Sequence, residues 1–243
     1  MCFNTPVIEK AASRKVLTLK EIERIARNFS GLHQVNFSGG EPFLRSDFKE
    51  IPGLFYRYAS TRMFTIPTNS SLPERSEEAI RTICEQCPDA WIRITQSLDG
   101  PKEVHDDIRG FSGLFDRVVE LNDRITRLRK QYRNLSNGIA VVLCSFNRGR
   151  EYELLDYVYE NLHFDDFGPL FVRGETSDSE ARKVEAESYR SFLAACLARA
   201  RARGPVRGVT ARAFSAVNQT ALRLLNRVIV EDTFVTPCKA GRN

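Results

Sequence analysis

The chain has 243 residues, of which 42% are apolar and 28% charged, with a formal net charge of +5. That composition suits one large globular domain, and no stretch approaches the roughly 18 consecutive apolar residues of a membrane span. Six scattered cysteines exclude a disulfide scaffold, and Met1 to Pro6 has neither the basic start nor the apolar run of a secretory signal, so a cytoplasmic protein with no membrane partner is expected.

Thr18 to Glu21 is a capping box, and Ile22, Ile25, Ala26 and Phe29 follow at helical spacing. Leu32 to Phe37 reads as a short strand ending in Ser38-Gly39-Gly40-Glu41-Pro42. Asp47 opens a helix with Phe48, Ile51, Leu54, Phe55 and Tyr58 on one face. Met63 to Ile66 is a strand that stops at Pro67-Thr68-Asn69-Ser70, Glu77 to Cys87 a helix, and Trp91 to Leu98 a strand followed by an Asp99-Gly100-Pro101 turn. Phe115 to Tyr132 is a helix, Ile139 to Phe146 a buried strand, Glu151 to Leu162 a helix and Leu170 to Arg173 a strand. Long helices from about Ser179 to Ala202 and from about Ala211 to Val230 complete the pattern.

Strands alternating with helices predict an α/β fold with a parallel sheet. The helices carry apolar stripes on one side only, which favours a partial parallel (β/α)6-type barrel over a doubly wound sheet. Five strands are legible after Cys2; the first strand is missing or incomplete. Ligands in such sheets sit at the carboxyl ends of the strands. The loops to watch are therefore Ser38–Pro42, Thr68–Ser70, Ser97–Pro101, Ser145–Asn147 and Arg173–Glu175.

Two glycines at a strand end let backbone approach a ligand closely, and the Glu41 carboxylate beside them suits a cationic ammonium group. The same carboxylate argues against an unrelated phosphate-binding barrel that uses Gly39-Gly40 as an anion loop. Arg199, Arg201, Arg203, Arg207 and Arg212 cluster late in the chain without interleaved aromatic residues. They read as a solvated helix end rather than a nucleic-acid surface, and no nucleic-acid partner is expected. Cys84 and Cys87 have metal-like spacing but no second pair, and Cys144 and Cys196 lie on apolar faces; all four read as packing. His105 caps a turn or touches substrate, and Asp106-Asp107 is read as a turn.

Cys2-Phe3 stands about 37 residues before Gly39-Gly40-Glu41-Pro42, with one helix and one strand between. Thr68-Asn69, Ser97-Leu98-Asp99-Gly100, His105-Asp106 and Ile108-Arg109-Gly110 follow in order. Together these segments resemble the radical S-adenosylmethionine (radical SAM) superfamily over nearly the whole chain. In that family a Cys-x-x-x-Cys-x-x-Cys motif is often followed by an aromatic residue, and Cys2 matches its third cysteine. The other two would lie upstream of Met1, so the chain is expected to be truncated there. Pro237-Cys238-Lys239-Ala240-Gly241 resembles the opening of an auxiliary-cluster extension of the SPASM or twitch type. The expected organisation is a core barrel over 1–236 and the start of a truncated extension over 237–243.

The resemblance implies a [4Fe–4S] cluster with Cys2 as a ligand, S-adenosylmethionine, and in the full-length protein an auxiliary iron–sulfur cluster that Cys238 would help to hold. It implies reductive cleavage of S-adenosylmethionine to a 5′-deoxyadenosyl radical, which abstracts hydrogen from a peptide, protein or small-molecule substrate. A small reductant protein of the flavodoxin or ferredoxin type is the implied electron donor. Gly39, Gly40 and Glu41 would hold the amino group, Ser97 and more weakly Asp99 the ribose or carboxylate, and Asn147 and Arg173 the ribose and carboxylate. Arg173 suits a carboxylate because its planar fork donates two parallel hydrogen bonds. With ligands missing, the chain as written is expected to hold little stable cluster after reconstitution. The competing reading is a cluster-less barrel that keeps the S-adenosylmethionine pocket and acts as a binding or scaffold module.

Overall fold

The structure, a computed structural model, describes residues 16–174, 176–204 and 209–231. Its strands are β1 (Gln34–Asn36), β2 (Met63–Thr68), β3 (Trp91–Ser97), β4 (Leu135–Leu143) and β5 (Asp166–Phe171). They pair in sequence order, all parallel, in one five-stranded sheet. This is the α/β architecture expected. Among the described residues no strand flanks β1 or β5 on its outer side.

The helices are α1 (Leu19–Asn28), α2 (Ile51–Tyr58), α3 (Pro73–Gln86), α4 (Lys102–Arg109), α5 (Leu114–Leu128), α6 (Glu151–Asn161), α7 (Ala186–Arg203) and α8 (Val209–Glu231). None of the described helices is long and apolar enough to cross a membrane. Each strand sends alternate residues to opposite faces. Phe64, Ile66, Ile92 and Ile94 join Ile80, Ile83, Leu121 and Ile125 in one buried cluster. Ile139 and Val141 join Val118, Leu154, Leu155, Val158 and Phe192 in a second. The other face carries Thr65, Thr95, Ser97, Gly138, Ala140 and Gly168, all small or polar. Low on that face Arg93 and Asp166 form a buried ion pair that joins β3 to β5, with the second contact at 2.6 Å.

Capping explains where several helices begin and end. The Thr18 hydroxyl accepts from the Glu21 N–H and the Glu21 carboxylate accepts from the Thr18 N–H, as the capping box predicts. Asp106 accepts from the N–H groups of Gly113 and Phe115 and so starts α5. Helix α4 ends at Gly110, whose φ of +63° is the left-handed conformation that terminates helices.

Three local expectations are corrected. The segment containing His105, Asp106 and Asp107 is helical, not a loop or turn; it is short and charged, and it helices because His105 is buried against Asp99. Strand β2 runs through Pro67 to Thr68 rather than stopping before the proline. Thr65 O accepts from the Phe37 N–H, so Pro67, two residues on, faces the β1 side where that ladder has already ended. The helix expected from Ser179 is two pieces, a 3-10 turn at Ser179–Arg182 and then α7. The break seats Ala181 and Val184 among Leu143, Cys144 and Tyr189, and Ala181 O accepts from the Ser145 N–H.

Candidate functional site

A cavity of about 620 Å³ opens at the carboxyl end of the sheet, and every strand contributes to its wall. From the loop after β1 come Ser38, Gly39, Gly40, Glu41, Pro42 and Leu44. The end of β2 gives Pro67, Thr68, Asn69 and Ser71; β3 gives Ser97, and the segment after it Ile108, Arg109, Phe111 and Leu114. Val142 represents β4, and Leu170, Phe171, Val172, Arg173 and Ser177 close the ring from β5. That volume suits a ligand of nucleoside size.

The glycine loop presents backbone to this space. Gly39 has φ +157°, a conformation rarely adopted by residues with a side chain, and a Cβ built there would meet nothing within 4 Å. Glu41 turns inward and is buried. Its Oε1 accepts from the Thr68 hydroxyl at 2.9 Å and the Phe43 N–H at 3.2 Å, and its Oε2 accepts from the Asn69 N–H at 2.7 Å. The carboxylate thus ties the β1 loop to the end of β2. Burial pushes its carboxyl above the ordinary range, opposed by those donors and by the positive charge of Arg109. Next to it Ser70 holds φ +63°; its N–H donates to Thr68 Oγ1 and its hydroxyl accepts from Gln96 Nε2. These bonds hold a conformation that costs a non-glycine residue energy.

Five of the residues expected from sequence, Gly39, Gly40, Glu41, Ser97 and Arg173, come together around the cavity. Asp99 and Asn147 do not line it. Asp99 is fully buried; its Oδ1 accepts from the Val142 N–H at 2.9 Å and its Oδ2 from Arg109 at 2.6 and 2.7 Å. Asn147 is equally buried: its amide donates to the carbonyls of Asp99 and Val142, and its Oδ1 accepts from the Cys144 N–H. Both lock the loops after β3 and β4 together from behind the cavity wall. The Ser145–Asn147 loop accordingly stays outside the lining, and Val142 stands in its place.

Arg109 was not singled out as a ligand from sequence, yet it lines the cavity with Asp99 holding one edge of its guanidinium. The local signals were its place in the Ile108-Arg109-Gly110 segment and its position four residues after His105, on the helix face that meets Asp99. His105 caps the turn, accepting the Asp99 N–H on Nδ1 at 3.0 Å, and burial lowers its pKa to about 4. Arg173 is exposed and has no ion-pair or hydrogen-bond partner among the described residues.

Cys2, Cys238 and Glu175 lie outside the described residues. The described cysteines, Cys84, Cys87, Cys144 and Cys196, are all buried and free, and none lines the cavity. Burial pushes the Cys84 and Cys87 thiols up to about 12, which suits packing rather than thiolate chemistry.

The sequence model of the Radical SAM superfamily matches residues 1–157. A 70-residue segment is 39% identical to GTP 3′,8-cyclase of Marinobacter nauticus, covering 28% of this chain and 21% of the cyclase. Among solved structures, SuiB of Streptococcus suis superposes with a TM-score of 0.59 at 20% identity, over 79% of this chain and 42% of SuiB. Native anSMEcpe with bound AdoMet and Kp18Cys peptide gives a TM-score of 0.53 at 20% identity, over 73% of this chain and 49% of that one. These two likenesses concern the fold. The chain spans about half the length of the solved structures it matches and about a fifth of the cyclase.

Proposed function

Because the chain belongs to the radical SAM superfamily, we propose that it is the core of an enzyme that uses S-adenosylmethionine and a [4Fe–4S] cluster to take a hydrogen atom from its substrate. The observation that carries this reading is the convergence of Gly39, Gly40, Glu41, Ser97 and Arg173 on one cavity at the strand ends. When bound, the cluster and S-adenosylmethionine supply one-electron cleavage to a 5′-deoxyadenosyl radical.

The residues present fit the sulfonium nucleotide. Open backbone at Gly39 admits a close approach beside Gly40, and the buried Glu41 carboxylate faces the same space as the amino group it would favour. Arg109 and Arg173 supply positive charge for a carboxylate, and Ser97 a hydroxyl for the same group or for the ribose. Leu44, Phe111, Leu114, Leu170 and Phe171 give apolar wall that would exclude water from a reactive carbon centre. Asp99, His105 and Asn147 would act at one remove, by fixing Arg109 and the two loops. Cys2 falls inside the matched segment and would be one thiolate ligand of the cluster. Cys238 would open an auxiliary-cluster extension beginning at residue 237, with the core ending at 236. A flavodoxin- or ferredoxin-type protein would supply the electron, in the cytoplasm, and the substrate would be a peptide, protein or small molecule.

The test is made on the full-length natural protein, reconstituted with iron and sulfide without oxygen and reduced with dithionite. Release of 5′-deoxyadenosine from S-adenosylmethionine is the expected result, with loss of release in Cys2→Ala. A fully reconstituted protein that binds S-adenosylmethionine and releases none overturns the reading.

A further inference from the structure

Around the cavity mouth stand three arginines without an ion-pair partner among the described residues. Arg75 donates to the carbonyl of Leu44 at 2.9 Å, and Arg117 donates to the carbonyl of Ser71 at 2.6 Å. Leu44 and Ser71 are themselves wall residues. Arg117 also lies 4.9 Å from the ring centroid of Phe111, another wall residue. Arg173 stands across the opening, on the β5 side. All three arginines are exposed, and none forms an ion pair among the described residues. The nearest carboxylates on α3 pair with other cations, Glu74 with Arg124 and Glu78 with Lys49, and act on Arg117 and Arg75 only through space. Each guanidinium has five N–H donors and uses one or none of them on a partner among the described residues. Between these cations the rim is aliphatic and exposed, with Leu44 at 63% and Leu170 at 39%.

We propose that this rim docks an acidic peptide segment, with glutamate or aspartate side chains meeting Arg75, Arg117 and Arg173 and an apolar side chain lying over Leu44 and Leu170 toward the cavity. Its role as substrate recognition rests on the function proposed above; the docking itself rests on the charge and shape of the rim. A peptide fits better than a nucleic acid on two grounds. Of the two aromatic wall residues among the described ones, Phe111 carries Arg117 on its ring and Phe171 packs against Tyr189, and the cations surround an opening rather than following a track. Unpaired arginines beside apolar wall offer carboxylates bidentate partners at the edge of a water-poor surface, where such contacts are strong.

Binding is measured by fluorescence anisotropy on the full-length natural protein, without reductant or S-adenosylmethionine. The probes are a short labelled peptide of alternating glutamate and leucine, its lysine–leucine counterpart, and a single-stranded RNA. The glutamate peptide should bind best and weaken as salt rises. Arg75→Gln with Arg117→Gln should weaken it roughly five- to tenfold, while Arg75→Lys with Arg117→Lys, which keeps the charge and loses the fork, restores only part of the loss. Equal binding of both peptides, tighter binding of the RNA, or a lysine pair as weak as the glutamine pair overturns the proposal. Deoxyadenosine release by the wild type is read separately. Release without acidic preference removes this inference alone, and acidic preference without release removes only the radical chemistry.

Discussion

A carboxylate that accepts three hydrogen bonds while buried in a cavity wall has no amide equivalent. In Glu41→Gln one oxygen becomes an NH₂ group, which must face a donor, either the Asn69 N–H or the pair from Thr68 and Phe43. The loss should be about 1–3 kcal/mol in urea unfolding, with a larger fall in S-adenosylmethionine affinity because the glycine loop is no longer tied to β2. Unchanged calorimetric affinity would mean that the loop holds its shape without the carboxylate. His105 gives a pH prediction. Its buried imidazole has a pKa lowered from 6.5 to about 4, with burial the largest cause. The unfolded chain therefore takes up this proton first as pH falls, and stability that is full above pH 6.5 declines down to about pH 4, by about 3 kcal/mol. In His105→Asn, which keeps an acceptor for the Asp99 N–H, this part of the acid limb should flatten. An identical limb in the variant would assign the titration elsewhere.

Sheet and helices were legible from period and caps, and the elements that were not share a physical cause. Strand β3 shows its pleat in Ile92, Ile94 and their polar alternates, and α1 announces itself by Thr18 and Glu21. Helix α4 has little apolar stripe, because its buried residue is a histidine whose partner, Asp99, is reached only through the tertiary fold. For the same reason sequence separated the cavity ligands poorly from their supports. Asp99 and Asn147 are polar residues just past strand ends and Arg109 closes helix α4, and only the packing of the segments after β3 and β4 decides which of them faces the cavity. Gly138 carries a further consequence at the level of the strand. A Cβ there would lie 2.4 Å from an Arg93 guanidinium nitrogen. An arginine tip ordinarily swings away, but this one is buried and clamped by Asp166. Gly138→Ala should therefore cost about 1–3 kcal/mol by overpacking, and Gly138→Ala in an Arg93→Met, Asp166→Leu background should cost measurably less. Equal costs in the two backgrounds would detach the glycine from the clasp.

At the scale of the molecule, five separate loops meet at one opening, and four of them are fastened to a neighbour by side chains. Glu41 joins the β1 loop to β2, Gln96 joins β3 to Ser70, and Asp99 and Asn147 join the β3 and β4 loops. The β5 segment is held to β4 by backbone alone, Val172 N–H donating to Leu143 O, while the Arg173 side chain enters the wall without a partner among the described residues. A ligand in the cavity would therefore add few new constraints to the first four loops and a substantial one to the fifth. Hydrogen–deuterium exchange with and without S-adenosylmethionine tests this distribution. Protection should rise most over residues 173–174, just past the β4–β5 ladder, and more modestly over 38–42, 67–71 and 109–111, since local opening there already works against cross-loop bonds. Saturating ligand should at the same time raise global stability by about 2.7 kcal/mol at a hundredfold excess over Kd. Protection concentrated on the glycine loop, with the β5 segment unchanged, would place the nucleotide's contacts on the β1–β2 side alone and remove Arg173 from its recognition.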